Sequence, residues 1–217
     1  MTANHSRAAV FDLDGTLVDT EPGNQARWTR LFDTYGAPYD EALIASFAGR
    51  RGREVLAELA HLFPGRTVEE LFREVISYEL GPDVLAAVAV PGAVALVRSI
   101  SAHGVPIGVV TSGGRQYAEG QLARLGIREL FDVLVTAEDV AEGKPSPEGF
   151  LAACARLGVE PSAAVAFEDA PAGVAAAKAA GMPTVGVATT QSREALAAAD
   201  LVVGDLTEVT WPPNLGG

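Results

Sequence analysis

Short valine-rich apolar runs recur along this chain at Ala8 to Leu13, Val105 to Val110, Val133 to Thr136, Ala163 to Phe167, Thr184 to Val187 and Leu201 to Val203. Between them lie segments with apolar residues at three- and four-residue intervals: Gly92 to Ala102, Arg115 to Leu125, Pro147 to Leu157 and Ala172 to Ala180. Strands that alternate with helices in this way pair in parallel through right-handed crossovers, with helices on both faces. The rhythm therefore predicts an α/β fold built on a parallel sheet. Gly126, Gly158 and Gly181 fall just after three of the helical segments, where a left-handed residue ends a helix.

One interval breaks the rhythm. From Glu21 to Ala89 no strand pattern is evident, and Asn24 to Tyr35, Arg53 to Leu62, Val68 to Leu80 and Asp83 to Val88 read as successive helices. This predicts an inserted helical unit over 21–89, with 1–20 and 90–217 forming the α/β part. At 217 residues the chain has room for one sizeable core and such an insertion. Pro22-Gly23 on one border and Pro91-Gly92 on the other suit two linkers that bend together.

Within that frame the run Phe11-Asp12-Leu13-Asp14-Gly15-Thr16-Leu17-Val18-Asp19 carries the most chemistry. Residues two apart on an extended segment point the same way, so Asp12 and Asp14 share one side while Leu13 turns to the core. Open α/β sheets bind ligands at the carboxyl ends of their strands, which is where these acids fall. Two like charges so close call for a cation or a shared proton, and hard carboxylate oxygens suit Mg²⁺. Three further segments follow strands at the same edge. Thr111-Ser112-Gly113-Gly114 precedes a helix and offers hydroxyls and amides to a phosphate. Lys144 brings a point charge, and Glu168-Asp169 brings two more acids. Singly, each reads equally well as a helix cap or a solvated surface residue; their order on one strand edge makes them a site.

Composition narrows the chemistry. A net charge of −12, from 28 acidic against 16 basic residues, repels polyanions, so nucleic acid is not an expected partner. The apolar runs are too short to cross a bilayer, and no secretory apolar region precedes Asp12. The lone cysteine, Cys154, allows no internal disulfide and sits in a helical Ala/Leu-rich stretch where a small buried side chain is expected. A cytoplasmic enzyme without a membrane partner is the expectation. His5, His61 and His103 show no metal-ligand spacing.

Taken in this order, Asp12-Leu13-Asp14-Gly15-Thr16, Thr111-Ser112-Gly113, Lys144-Pro145 and Glu168-Asp169 resemble the haloacid dehalogenase-like phosphatases over nearly the whole chain. Within that family the chain most resembles the sugar- and polyol-phosphate phosphatases and β-phosphoglucomutase-like members, and Phe167 to Val174, followed by Lys178-Ala179-Ala180-Gly181, looks much like the glycerol-phosphate and 2-deoxyglucose-phosphate phosphatases. The resemblance implies a Rossmann-like parallel sheet core with an inserted all-helical cap domain. It implies a Mg²⁺-dependent phosphatase of a small phosphorylated sugar or polyol, as a monomer or weak dimer. Asp12 would be the nucleophile and Asp14 the acid and base, its backbone carbonyl also facing the metal. Thr111, with Ser112 and Gly113, would hold phosphoryl oxygens, and Lys144 would neutralise both nucleophile and phosphoryl group. Asp12, Asp14, Glu168 and Asp169 form the implied metal set. In the cap, Arg51 matches an arginine frequent in sugar-phosphate phosphatases and is expected to reach the substrate.

Departures from the family pattern bear on the reaction. Asn24 stands where β-phosphoglucomutase-like members carry a histidine, and Ala48 and Gly52 replace a basic residue that grips a second phosphate. Both count against a phosphotransferase, which stays an alternative. A dehalogenase would need neither Asp14 nor Mg²⁺. A phospho-accepting receiver-type signalling module would carry its acceptor on a later strand and lack the helical insertion.

Overall fold

The computed structural model describes residues 8–78 and 88–215, without the side chains of residues 21 and 22. The strands are β1 (Ala8–Phe11), the two-residue β2 (Val18–Asp19) and β3 (Val88–Ala89), then β4 (Ile107–Val110), β5 (Val133–Val135), β6 (Ala164–Glu168), β7 (Thr184–Val187) and β8 (Leu201–Val203). Six of them form one parallel sheet in the order β5-β4-β1-β6-β7-β8. The first strand is thus central, and the chain winds outward from it first in one direction and then in the other. Between β1 and β6 the two windings part, leaving the crevice in which Rossmann-like sheets hold their ligands.

Side chains alternate faces along each strand. Ala9, Phe11, Val109, Val165 and Phe167 meet Leu96, Val97 and Ile100 of α5 (Ala93–Ala102), along with Ala118 and Leu122 of α6 (Arg115–Arg124). Ala8, Val10, Ala164 and Ala166 meet Phe150 and Ala153 of α7 (Glu148–Leu157) and the alanines of α8 (Pro171–Ala179). Phe11 and Phe167 are register partners on β1 and β6, and their rings stack 4.4 Å apart at 11°. That pair locks together the two strands that carry the acids. Cys154 lies buried in this second cluster.

The insertion begins with α1 (Glu21–Tyr35), α2 (Glu41–Ala45), α3 (Gly52–Glu58) and α4 (Val68–Ser77). These helices enclose a separate apolar cluster of Leu31, Phe32, Phe47, Leu56, Phe63 and Leu71. Three details differ from the sequence expectation. The short α2 is an added helix, started by Asp40, whose carboxylate accepts the Leu43 amide at 2.7 Å. Arg53 to Leu62 splits into α3 and a 3-10 turn at Ala60–Leu62. The interval also ends in a strand, because β3 pairs antiparallel with β2 and staples the two linkers together. The helix expected over Asp83 to Val88 falls on residues 83–87, outside the described residues, and on Val88 of β3; the end of Val68 to Leu80 beyond residue 78 also lies outside them.

Candidate active site

Asp12 leaves β1 with its amide still bonded to the Phe167 carbonyl at 2.9 Å, one step beyond the last register pair. Glu168 ends the neighbouring β6 and Asp169 follows it, so parallel register alone brings these acids to one point. Lys144 arrives from the β5–α7 loop. Its Nζ lies 2.5 Å from Asp12 Oδ1 and 3.2 Å from the Val110 carbonyl, and it pairs with Glu168. Relative exposures of 3% for Asp12, 5% for Lys144, 0% for Glu168 and 1% for Asp169 leave almost no water to screen them. At that burial three carboxylates cannot all stay charged against one ammonium.

The titration behaviour reflects that imbalance. Burial pushes Asp12 well above the usual carboxylate range, and Lys144 pulls it back only in part. Glu168 is raised for the same reason. Asp169 is pushed up to about 8 by burial and by Glu168 beside it. Burial opposes the charge on Lys144, yet Asp12 and Glu168 outweigh it and hold the ammonium on. One oxygen each of Asp12, Glu168 and Asp169 lie within 4.8 Å of one another. Asp12 Oδ2 and Glu168 Oε2 have no hydrogen-bond partner among the described residues. Orphaned, converging carboxylate oxygens are the donor set a hard divalent cation takes, so the residues fit Mg²⁺.

Glycine makes room for this cluster at two points. Gly15 has φ +83°, and a Cβ there would lie 2.2 Å from Asp169 Oδ2; a Cβ on Gly173 would lie 2.0 Å from the Glu168 carboxyl carbon. Thr190 and Thr16 hydroxyls donate to Asp169 at 2.5 and 3.2 Å and aim its carboxylate. The Asp14 side chain is not a member of the three-acid group. Its Oδ1 accepts from Thr20 at 2.8 Å and from Tyr117 at 2.5 Å. Burial still raises its pKa, against the lowering effect of those two hydroxyls. Tyr117 is itself raised, by burial and by the Asp14 charge, so its phenol stays protonated and donates. Asn24 reaches Asp14 only through Thr20, at 3.5 Å.

The remaining expected residues lie where cap and core meet. Thr111 is buried and its hydroxyl accepts the Gly113 amide at 2.9 Å; the Ser112 hydroxyl donates to the cap's Gly49 carbonyl at 2.8 Å. With Lys144 and Phe150 they line a small cavity under the cap. Arg51 also borders that cavity, with its guanidinium engaged by the core. It donates to the core carbonyls of Ala137, Val140 and Ala141 at 2.9, 2.9 and 3.0 Å.

Sequence reasoning missed Tyr117, Thr20, Thr190 and Gly173. Gly173 had a readable signal, a glycine in the first turn of an alanine-rich helix. Tyr117 had none, since its partner lies 103 residues away.

Comparison with known proteins agrees with this geometry. The sequence model of the haloacid dehalogenase-like hydrolase family matches residues 9–187. Validoxylamine A 7'-phosphate phosphatase of Streptomyces hygroscopicus subsp. limoneus is 52% identical over 206 residues, covering 95% of this chain and 97% of that protein. Hexitol phosphatase A of Escherichia coli K12 is 34% identical over 205 residues, covering 93% and 92%. The crystal structure of β-phosphoglucomutase from Clostridium difficile superposes with a TM-score of 0.78 at 27% identity, covering 94% and 93%. With the acids, the lysine and the inserted helices all falling inside that match, the chain belongs to the haloacid dehalogenase-like hydrolases.

Proposed function

We propose that this protein is a Mg²⁺-dependent phosphatase of a small sugar or polyol phosphate that works through an aspartyl-phosphate on Asp12. That it is a phosphoric monoester hydrolase follows from its family and from relatives that are phosphatases. The metal, the intermediate and the substrate class are our own reading. One observation carries it: a buried carboxylate, Asp12, held against Lys144 with its second oxygen unpartnered and two further acids converging on it.

In this reading Asp12, Glu168 and Asp169 would hold the metal, with the Asp14 backbone carbonyl as a further donor. When bound, Mg²⁺ supplies charge neutralisation for a phosphoryl group in the site. One oxygen of the Asp12 carboxylate attacks phosphorus, the other would stay with the metal, and the ester oxygen leaves. Lys144 balances the charge that gathers on nucleophile and phosphoryl oxygens, and phosphoryl transfer is mostly such positioning and charge balance. The Thr111 hydroxyl and the loop amides after it hold the phosphoryl oxygens. Asp14, raised by burial, gives its proton to the departing oxygen. Two hydroxyls already occupy its Oδ1, so Oδ2 carries the transferable proton. It then takes a proton from the water that opens the aspartyl-phosphate. Such acid–base help contributes about 10²- to 10⁴-fold in rate.

Relatives named for validoxylamine A 7'-phosphate and for a hexitol support a polyhydroxylated phosphate ester as substrate. Hydrolysis is favoured over phosphotransfer because Asn24, Ala48 and Gly52 stand where the transferases carry a histidine and a basic grip. The lone free thiol of Cys154, buried, fits a cytoplasmic protein. No helix of the described residues is long and apolar enough to cross a membrane.

The test is phosphate release from glycerol, hexitol, hexose and deoxyhexose phosphates, phosphoglycolate, glucose 1-phosphate and validoxylamine A 7'-phosphate, with Mg²⁺ and with EDTA. The expected result is Mg²⁺-dependent release with a preference for polyol or sugar esters. Asp12→Asn should abolish it, and Asp14→Asn should lose turnover while keeping metal affinity. Parental release by Asp12→Asn would end the proposal.

A further inference from the structure

The loop from Ala137 to Gly143 ends on Lys144, and its polar backbone groups are divided between two bodies. The core takes amides: Ala137 N bonds the Gly113 carbonyl, and Ala141 N and Glu142 N bond the Glu148 carboxylate, each at 2.9 to 3.0 Å. The cap takes carbonyls: Ala137, Val140 and Ala141 all accept from Arg51 at the start of α3. Glu54, one turn along α3, accepts the Gly143 amide at 3.1 Å and pairs with Arg51 at 3.4 Å. The Arg51 stem lies so close over the loop that a Cβ on Gly143 would sit 2.7 Å from its Cδ. A glycine immediately before the lysine is therefore what lets the cap approach. No other cap side chain makes such a set of contacts on one core loop among the hydrogen bonds of the described residues; Arg50 and Arg53 pair with Glu58 and Glu69 inside the cap.

We propose that Arg51 and Glu54 are positioning residues for Lys144: the first turn of α3 clamps the lysine's loop when the cap is down, so that cap closure and lysine placement are one event. This inference rests on the reading of Lys144 as the group that neutralises the transferred phosphoryl. A guanidinium that fans over three carbonyls of one loop fixes that loop's path, and Lys144 extends from its end into the Asp12–Glu168 pair. Opening the cap removes the Arg51 and Glu54 contacts, leaving the loop to its core ties: the Ala137, Ala141 and Glu142 amides, and the Glu138 and Asp139 carboxylates held by Arg115 and Arg156. The lysine's placement then loosens, and a misplacement of about 1 Å costs up to about a hundredfold in turnover. Arg51 thus senses whether the cap is closed, and it does so without touching substrate.

The experiment compares Arg51→Ala, Arg51→Lys and Glu54→Gln with Arg53→Ala as a control, using a polyol phosphate and acetyl phosphate, a donor too small to reach α3. Backbone amide exchange over 137–144 is followed in the same proteins. The expected result is a kcat about tenfold or more lower for Arg51→Ala on both donors alike. Arg51→Lys should recover part of it, Glu54→Gln should fall in between, and Arg53→Ala should be unchanged. Exchange over 137–144 should quicken in Arg51→Ala and Glu54→Gln while the α7 amides after residue 151 hold. A raised KM for the polyol phosphate with normal kcat on acetyl phosphate would overturn the proposal, because Arg51 would then grip substrate. Unaltered exchange in both loop variants would overturn it as well. If the parent chain released no phosphate from any ester, the functional reading would fail, while the exchange measurement would still report on the clamp.

Discussion

Gly173→Ala tests the metal cluster without touching any acid. The new Cβ would lie 2.0 Å from the Glu168 carboxyl carbon and Oε1 and 2.1 Å from Oε2, so that carboxylate must leave its place. The backbone gains rather than loses, since alanine in α8 is better than glycine by about 1 kcal/mol. Leaving separates Glu168 from Asp12 and Asp169, which repel it, but also from Lys144, its buried ion-pair partner. The melting point of the metal-free variant sets the baseline, and the diagnostic effect is the lost response to Mg²⁺. At a Mg²⁺ concentration roughly a hundred times the parental Kd, binding stabilises by about 2.7 kcal/mol. If losing one ligand weakens affinity about a hundredfold, the same Mg²⁺ stabilises the variant by about 0.4 kcal/mol. For a chain of this size about 1 kcal/mol moves Tm by roughly 2–4 °C, so the Mg²⁺-induced shift should drop from roughly 5–11 °C to about 1 °C. Scanning calorimetry with Mg²⁺ and with EDTA reads both numbers. An undiminished Mg²⁺ shift in Gly173→Ala would show that Glu168 is not a ligand, and the cluster would have to be redrawn.

Two further outcomes follow from the same geometry. Asp169 titrates at about 8 in the folded metal-free chain against an ordinary 3.8, because burial and Glu168 oppose its charge; Asp12 and Glu168 are raised too. Between those values the folded chain holds protons that the unfolded chain has lost, so stability falls as pH rises through the window. Urea midpoints in EDTA should drop from pH 5 to pH 8 and Mg²⁺ should flatten the drop; a midpoint that climbs would contradict the assignment. Phe167→Ala removes the ring stacked on Phe11 in the middle of the sheet and should cost about 3–5 kcal/mol in denaturant unfolding. A cost under about 1 kcal/mol would mean the two central strands are held by something else.

The sheet and the acid edge were legible because both are local properties of the chain. Apolar runs with period-two side chains specify buried strands, strand–helix alternation specifies parallel pairing, and an acid that follows such a strand falls on the ligand edge without knowledge of any other contact. Asp12, Glu168 and Asp169 were placed in that way, whereas Lys144, in the loop after β5, was singled out by the order of the motifs and the family resemblance. Register then did the rest, since pairing Phe11 with Phe167 necessarily sets Asp12 beside Glu168. The β2–β3 ribbon was not legible, because a two-residue strand has no period to detect and exists only through its partner. The core contacts of Arg51 were not legible for a related reason. Its sequence neighbourhood says only that a charged turn joins two cap helices, whereas its partners lie 86 to 90 residues away on the core. Sequence alone thus determined which groups reach the carboxyl edge of the sheet, through short-range periodicity. Only the tertiary structure decided what each group touches there: how Tyr117 meets Asp14, why residue 173 must lack a Cβ, and where the cap arginine lands. Those contacts depend on how separately formed layers dock, and no local pattern encodes the docking.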